Sequence, residues 1–206
     1  MKLLIATRNP AKKNELERGL NLFIPDGQLI TLDDLGITLE PEETGESFES
    51  NARLKADYYS KRAGLPTVAD DGGIMIDALG GEPGVHSKRW LGRDATDQEL
   101  IDYTLRRMKG VPPEKRTARF TTVLCFMDPA LRRTITVSES LEGMIAETQT
   151  TKWQHGFPYR AIFKIKDYDT YYDELTEQQH EMVNHRLKAI RRLAKQLQDQ
   201  YMSHIV

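Results

Sequence analysis

Pro66-Thr67-Val68-Ala69-Asp70-Asp71-Gly72-Gly73-Ile74-Met75-Ile76-Asp77 holds the densest chemistry in this 206-residue chain. A short apolar run ends in two adjacent carboxylates and two glycines, and a second apolar run follows. Thr67 to Ala69 read as the end of a buried strand, and Ile74 to Ile76 as the start of another element. Gly72 and Gly73 open backbone angles closed to other residues and admit a ligand close to the main chain. Neighbours on an extended segment face opposite ways, so Asp70 and Asp71 are expected to do different jobs. One can hold a hard cation in a cleft while the other braces a turn. Read alone, the segment is also an ordinary solvated Asp-Gly turn; the other segments decide between the two.

Lys12 and Lys13 stand where an apolar run, Leu3 to Ala6, passes through Thr7-Arg8-Asn9-Pro10 into a helical pattern with Leu16, Leu20 and Phe23 on one face. Amides at a helix start attract anions, and a lysine there strengthens the attraction. Glu42 and Glu43 lie in an acidic stretch before a helix expected from about Phe48 to Ala63, which carries Lys55 and ends at Gly64. Either glutamate can give oxygens to a metal. A glycine-rich loop, Ala78 to Val85, leads into His86-Ser87-Lys88-Arg89-Trp90, and Trp153 to Phe163 sets aromatics beside Gly and Pro in a loop suited to a flat heterocycle.

The elements that must position these groups alternate. Leu29 to Leu32 is a second strand, and Thr96 with Glu99 forms a capping box opening a helix to about Met108. Thr117 to Phe126 and Arg133 to Glu142 are long strands, the second continuing through Ala146. One long helix is expected from about Thr176 to the end, with a basic outer face and His185-Arg186 early in it. Interleaved strands and helices predict an α/β fold, a mixed central sheet flanked by helices, in a single domain over residues 1–206 with a cleft.

Composition bounds the function. Hydrophobic residues make up 39% and charged residues 29%, and the formal net charge of −2 gives no case for nucleic acid as partner. The single cysteine, Cys125, in an apolar run, excludes an internal disulfide and a cysteine zinc site. The apolar run at the N-terminus is too short for a signal or a membrane span, so a cytoplasmic protein without membrane partners is expected.

Six segments in order resemble the inosine/xanthosine triphosphate pyrophosphatase family, over nearly the whole chain. Thr7-Arg8-Asn9-Pro10-Ala11-Lys12 is similar to its TGNxxK phosphate loop, and Glu43-Thr44-Gly45 with Ser47 to Ala56 to its ETGxSFxxNAxxKA stretch. Ala69 to Gly73 resembles ADDSG, Leu79 to Trp90 resembles LGGxPGxxSxRY, Gly156 to Phe163 resembles GFGYDPIF, and Asn184-His185-Arg186 resembles SHR. The resemblance implies two lobes around a nucleotide-binding cleft, a homodimer, and Mg²⁺-dependent cleavage of non-canonical purine nucleoside triphosphates to monophosphate and pyrophosphate. It implies Asp71 and Glu43 as metal ligands, with Glu42 the rival to Glu43, and Asp71 as the base or water-orienting carboxylate. Lys12, Lys55 and Arg89 would neutralise phosphates beside Thr7, Arg8 and Asn9. Phe157 and Tyr159 would line the base pocket, and His185 and Arg186 would reach the base edge.

The departures cluster. Arg8 stands for the family's glycine, Gly72 for the serine after the paired aspartates, Pro158, Arg160 and Ala161 for the Gly, Asp and Pro of GFGYDP, and His180 for a lysine. Gly72, Arg160 and His180 fall on groups expected to touch base or sugar, and Arg160 reverses an acceptor into donors. Two other readings follow: a pyrophosphatase with altered base preference, or a nucleotide-binding sensor in which Arg8 holds phosphates too tightly for turnover.

Overall fold

The computed structural model describes residues 2–201. β1 (Lys2–Ala6) is buried along its last four residues and runs parallel to both β2 (Gln28–Thr31) and β3 (Thr67–Ile76). Between them come α1 (Pro10–Phe23) and α2 (Phe48–Ala63). Pro10 opens α1, where no amide bond is lost, and the Asn9 side chain accepts from the amides of Ala11 and Lys12. A reciprocal Ser47–Ser50 box caps α2, and Gly64 closes it in the left-handed region at φ 65°. α3 (Asp97–Arg107) starts on the expected Thr96–Glu99 box. β4 (Thr117–Asp128), β5 (Arg133–Ile145), β6 (Phe163–Ile165) and β7 (Thr170–Tyr171) complete a mixed seven-stranded sheet in the order β2-β1-β3-β4-β5-β6-β7.

Two expectations are corrected. Asp70-Asp71-Gly72-Gly73 is neither a turn nor a junction between elements: β3 is one ten-residue strand straight through it. Gly73 is needed for space. A Cβ there would fall 2.2 Å from Ser87 Oγ and 3.0 Å from the Gly84 carbonyl oxygen, so glycine lets the 84–87 turn lie against the strand. The C-terminal helix is also broken. α4 (Glu177–Val183) starts on a Thr176–Gln179 box and stops at Asn184, whose ψ of 102° leaves the helical region before α5 (His185–Tyr201) begins. Asparagine is a poor helix former because its side chain competes for backbone partners.

The described chain divides into two compact units, each built from separated segments. One takes in the chain to Asp71, Thr122–Glu139 and the chain from His185 on. Its core joins Leu3 and Ile5 of β1, Leu16 and Leu20 of α1 and Ile190 and Leu193 of α5. At Gly19 a Cβ would stand 2.6 Å from Ile190 Cδ1, so the two helices meet there because the residue has no side chain. The other unit, Gly72–Thr121 and Ser140–Asn184, packs Ile74, Ile101, Phe120, Ile162, Phe163 and Tyr172 together.

Candidate active site

Asp70 and Asp71 point to different partners, as alternation along a strand requires. Asp70 is buried, with a cation beside each oxygen. Lys12 Nζ lies 2.6 Å from its Oδ1, while Thr122 Oγ1 (2.7 Å) and Arg186 Nε (3.0 Å) donate to its Oδ2. Arg186 also pairs with Glu15 through Nη1. Burial works against the Asp70 charge, but Arg186 and Lys12 outweigh it and hold the carboxyl well below the usual carboxylate range.

Asp71 is bound more sparsely. Lys55 Nζ donates to its Oδ1 at 2.8 Å and sits 2.9 Å from Glu43 Oε1, so one ammonium bridges two carboxylates. Asp71 Oδ2 is buried and has no hydrogen-bond partner among the described residues. Burial pushes the Asp71 carboxyl up, and the shared lysine does not offset it. Burial also opposes the Lys55 charge, yet Asp71 and Glu43 together raise it. No group of three or more His, Cys, Asp or Glu gathers into a metal cluster among the described residues.

At the head of α1 the Asn9 amide approaches Thr7 Oγ1 at 3.3 Å, while Asn9 Oδ1 takes the amides of Ala11 (2.9 Å) and Lys12 (3.1 Å). Two of the helix-start amides expected to meet phosphate are thus capped from within. Arg8 turns to the segment after β2: Nη2 donates to the Ile37 carbonyl, and its other nitrogens lie 3.6 Å from Asp33 and 3.4 Å from Glu40. Gly45 hands its amide to Asn51 Oδ1 at 2.8 Å, which ties the Glu43 loop to the first turn of α2. His185 is buried at the first residue of α5, and the Arg186 guanidinium is taken up by Asp70 and Glu15.

Gly72, Arg89, Phe157, Tyr159, Arg160 and His180 belong to the second unit. Tyr159 is buried and its hydroxyl donates to the Ser87 carbonyl at 2.6 Å. Arg160 is 3% exposed, its Cζ 3.6 Å from the Phe157 ring centre and 4.6 Å from that of Tyr172. Tyr172 meets His180 edge-on at 5.0 Å. These two rings, with Lys152, Trp153, Gln154, Asp173 and Leu175, line an open pocket of about 320 Å³. Arg89 is exposed, 3.6 Å from Asp94.

Comparison with known proteins gives this geometry a lineage. The Ham1 family model matches residues 3–196. The chain belongs to the Ham1 family. It is 40% identical over 196 residues to the dITP/XTP pyrophosphatase of Bacillus subtilis, covering 95% of this chain and 96% of that protein. It is also 40% identical over 200 residues to that of Thermus thermophilus, covering 97% and 93%. The solved Ham1 protein of Staphylococcus aureus superposes with a TM-score of 0.85 at 29% identity, over 97% of this chain and 100% of that one.

In this Ham1 chain the sequence expectations placed no role on Asp70 beyond bracing, and none on Thr122 or Glu15. Glu15 was detectable in principle, since it follows Lys12 by three residues and shares its helix face. Thr122 was not: its tie to Asp70 links residues 52 apart.

Proposed function

We propose that this chain hydrolyses non-canonical purine nucleoside triphosphates to the monophosphate and pyrophosphate, with Mg²⁺, and so cleans the nucleotide pool. The observation that carries the reading is the unpartnered, buried Asp71 Oδ2 beside a lysine shared with Glu43. Mg²⁺ takes one or two carboxylates and completes its shell with water and substrate phosphates, so Asp71 and Glu43 suffice as protein donors. Glu43, the glutamate within 2.9 Å of Lys55, is favoured over Glu42. When bound, the metal supplies charge for the phosphates and acidifies a water.

The chain's own groups do the rest. Asp71, with its carboxyl raised, orients the attacking water and accepts its proton. Water adds to a phosphorus of the α–β anhydride, and pyrophosphate leaves. Lys55 and Lys12 hold their charge against phosphate oxygens, Lys12 being fixed from behind by Asp70. Thr7 and Asn9 shape the loop, and exposed Arg89 is a further cation for the phosphates. The family resemblance assigns base recognition to Phe157, Tyr159, Arg160, His180, Gly72, His185 and Arg186. The relatives' names support inosine- and xanthosine-type bases for this chain. The separated segments of each unit support reading residues 1–206 as one domain.

A homodimer rests on the family resemblance, and sedimentation tests it; a cytoplasmic location rests on the composition, with its single cysteine. The described helices include none long and apolar enough to cross a membrane. Arg8 was the feature favouring a sensor, and its engagement with Ile37, Asp33 and Glu40 removes that support.

The test is pyrophosphate release from ITP, XTP, dITP, the standard four and modified pyrimidine triphosphates with Mg²⁺, beside Asp71→Asn. Release is expected with the inosine and xanthosine substrates, falling about 10²–10⁴-fold in the variant. Tight nucleotide binding without release from any substrate would sink the enzyme reading, and release only with another base would show that Arg160, Gly72 and His180 reset the pocket.

A further inference from the structure

Arg8 is the residue whose observed contacts depart furthest from what its place in the phosphate loop suggests. Its guanidinium donates to the Ile37 carbonyl and lies 3.6 Å from Asp33 and 3.4 Å from Glu40, and its charge acts on the Tyr59 hydroxyl. We infer that Arg8 is a positioning residue for the metal–triphosphate site, clamping the Thr7–Asn9 turn to the segment that leads to Glu43 and to the helix that carries Lys55. The inference rests on the function proposed above and adds a device that sets the spacing of its charged groups.

Each contact of Arg8 stands close in the chain to one member of the site. Lys12 follows Arg8 by four residues, Glu43 follows Glu40 by three, and Tyr59 follows Lys55 by one helical turn on the same face of α2. A guanidinium suits the task because it presents five donors in a rigid plane and can face a carbonyl and two carboxylates together. The Arg8 side chain is 29% exposed, while Asp33 and Glu40 are 72% and 55% exposed, so the bond to the Ile37 carbonyl and the packing against buried Tyr59 carry more of the clamp than the solvated ion pairs do. Lys13, 3.7 Å from Asp33, adds a second and weaker tie to the same segment. With Arg8 spent this way, the approach of phosphate is left to Lys12, Lys55 and Arg89.

The experiment compares wild type with Arg8→Met and Arg8→Lys in two measurements. Amide hydrogen exchange of the metal-free protein reads the clamp without reference to turnover. Residues 37–46 should exchange about tenfold faster in Arg8→Met, and by less in Arg8→Lys, while β1 is unchanged. Pyrophosphate release titrated with Mg²⁺ reads the consequence. Half-maximal release should need several-fold more Mg²⁺ in Arg8→Met, with partial rescue by lysine.

Unchanged exchange in residues 37–46, or a uniform drop in kcat at every Mg²⁺ concentration that merely tracks a lower Tm, overturns the inference. Wild type without release from any triphosphate fails the proposed function instead, and the exchange result still decides whether Arg8 clamps.

Discussion

Asp70 and Asp71 are adjacent in one strand, both buried, and both paired with lysine, yet their surroundings push them in opposite directions. On the Asp70 side, two cations flank the two oxygens, a hydroxyl adds to one of them, and Glu15 balances the second cation. On the Asp71 side, one ammonium is divided between two carboxylates, and an oxygen is left over. The first arrangement balances its own charges. The second is short of positive charge, which is the condition a metal–phosphate ligand would relieve. Burial alone therefore does not mark a working carboxylate; the balance of partners around it does.

The comparison is broken most sharply by neutralising each carboxylate in turn. Asp71→Asn is expected to abolish most pyrophosphate release while leaving Tm equal or higher, because it removes a buried charge that is short of partners. Asp70→Ala should do its damage to the fold, since it takes the anion from part-buried Lys12 and leaves buried Arg186 with Glu15 alone. Breaking such a pair costs about 3–5 kcal/mol, visible as a large fall in urea midpoint. If Asp70→Ala keeps the midpoint and Asp71→Asn loses it, the division of labour between the two is wrong.

A pH series sharpens the same contrast in metal-free protein. Asp70 has a folded pKa below its ordinary value of 3.8, so its stabilisation is present above about pH 4 and fades only as pH falls through the folded value. Asp71 has a folded pKa above 3.8, so the folded state is favoured while it is protonated, and that contribution is lost as pH rises through the raised value. The stability of Asp71→Asn relative to wild type should thus be near zero at about pH 3 and grow towards neutrality. The deficit of Asp70→Asn should be flat from about pH 5 upward. Parallel curves for the two variants would contradict the opposed shifts.

Much of this was legible in the sequence where a local rule decides the outcome. The caps at Ser47, Thr96 and Gly64, the strand at β1 and the alternation that separates Asp70 from Asp71 all follow from neighbours a few residues apart. The paired glycines after Asp71 misled, because Asp-Gly is a turn signal, whereas Gly73 is there to let Ser87 approach. Asn184 was hidden inside an apolar periodicity that continues on both sides of the break. For Arg186 and Arg8 the sequence offers only their places in motifs, whereas their protein partners Glu15 and Ile37 lie 171 and 29 residues away. Long-range pairing of charges carries no local signature.

The smallest expected effect concerns the side of Asp71 and tests how firmly its partners are held. Gly45 does not sit in the left-handed region; among the described residues its need for hydrogen in place of a side chain is steric. A Cβ there would stand 2.4 Å from Asn51 Oδ1, 2.9 Å from the Asn51 amide nitrogen and 2.3 Å from Ser50 Oγ. The hydroxyl can rotate away, but the amide belongs to the first turn of α2 and cannot move without unwinding it. Gly45→Ala should therefore push the loop outward, lengthen the hydrogen bond from the Gly45 amide to Asn51 and draw Glu43, two residues away, off Lys55. The cost to stability should be about 1 kcal/mol, with a raised Mg²⁺ requirement and little change in Asp70-dependent stability. If Gly45→Ala leaves the Mg²⁺ requirement untouched, Glu43 is held by Lys55 alone and the loop is free to follow it.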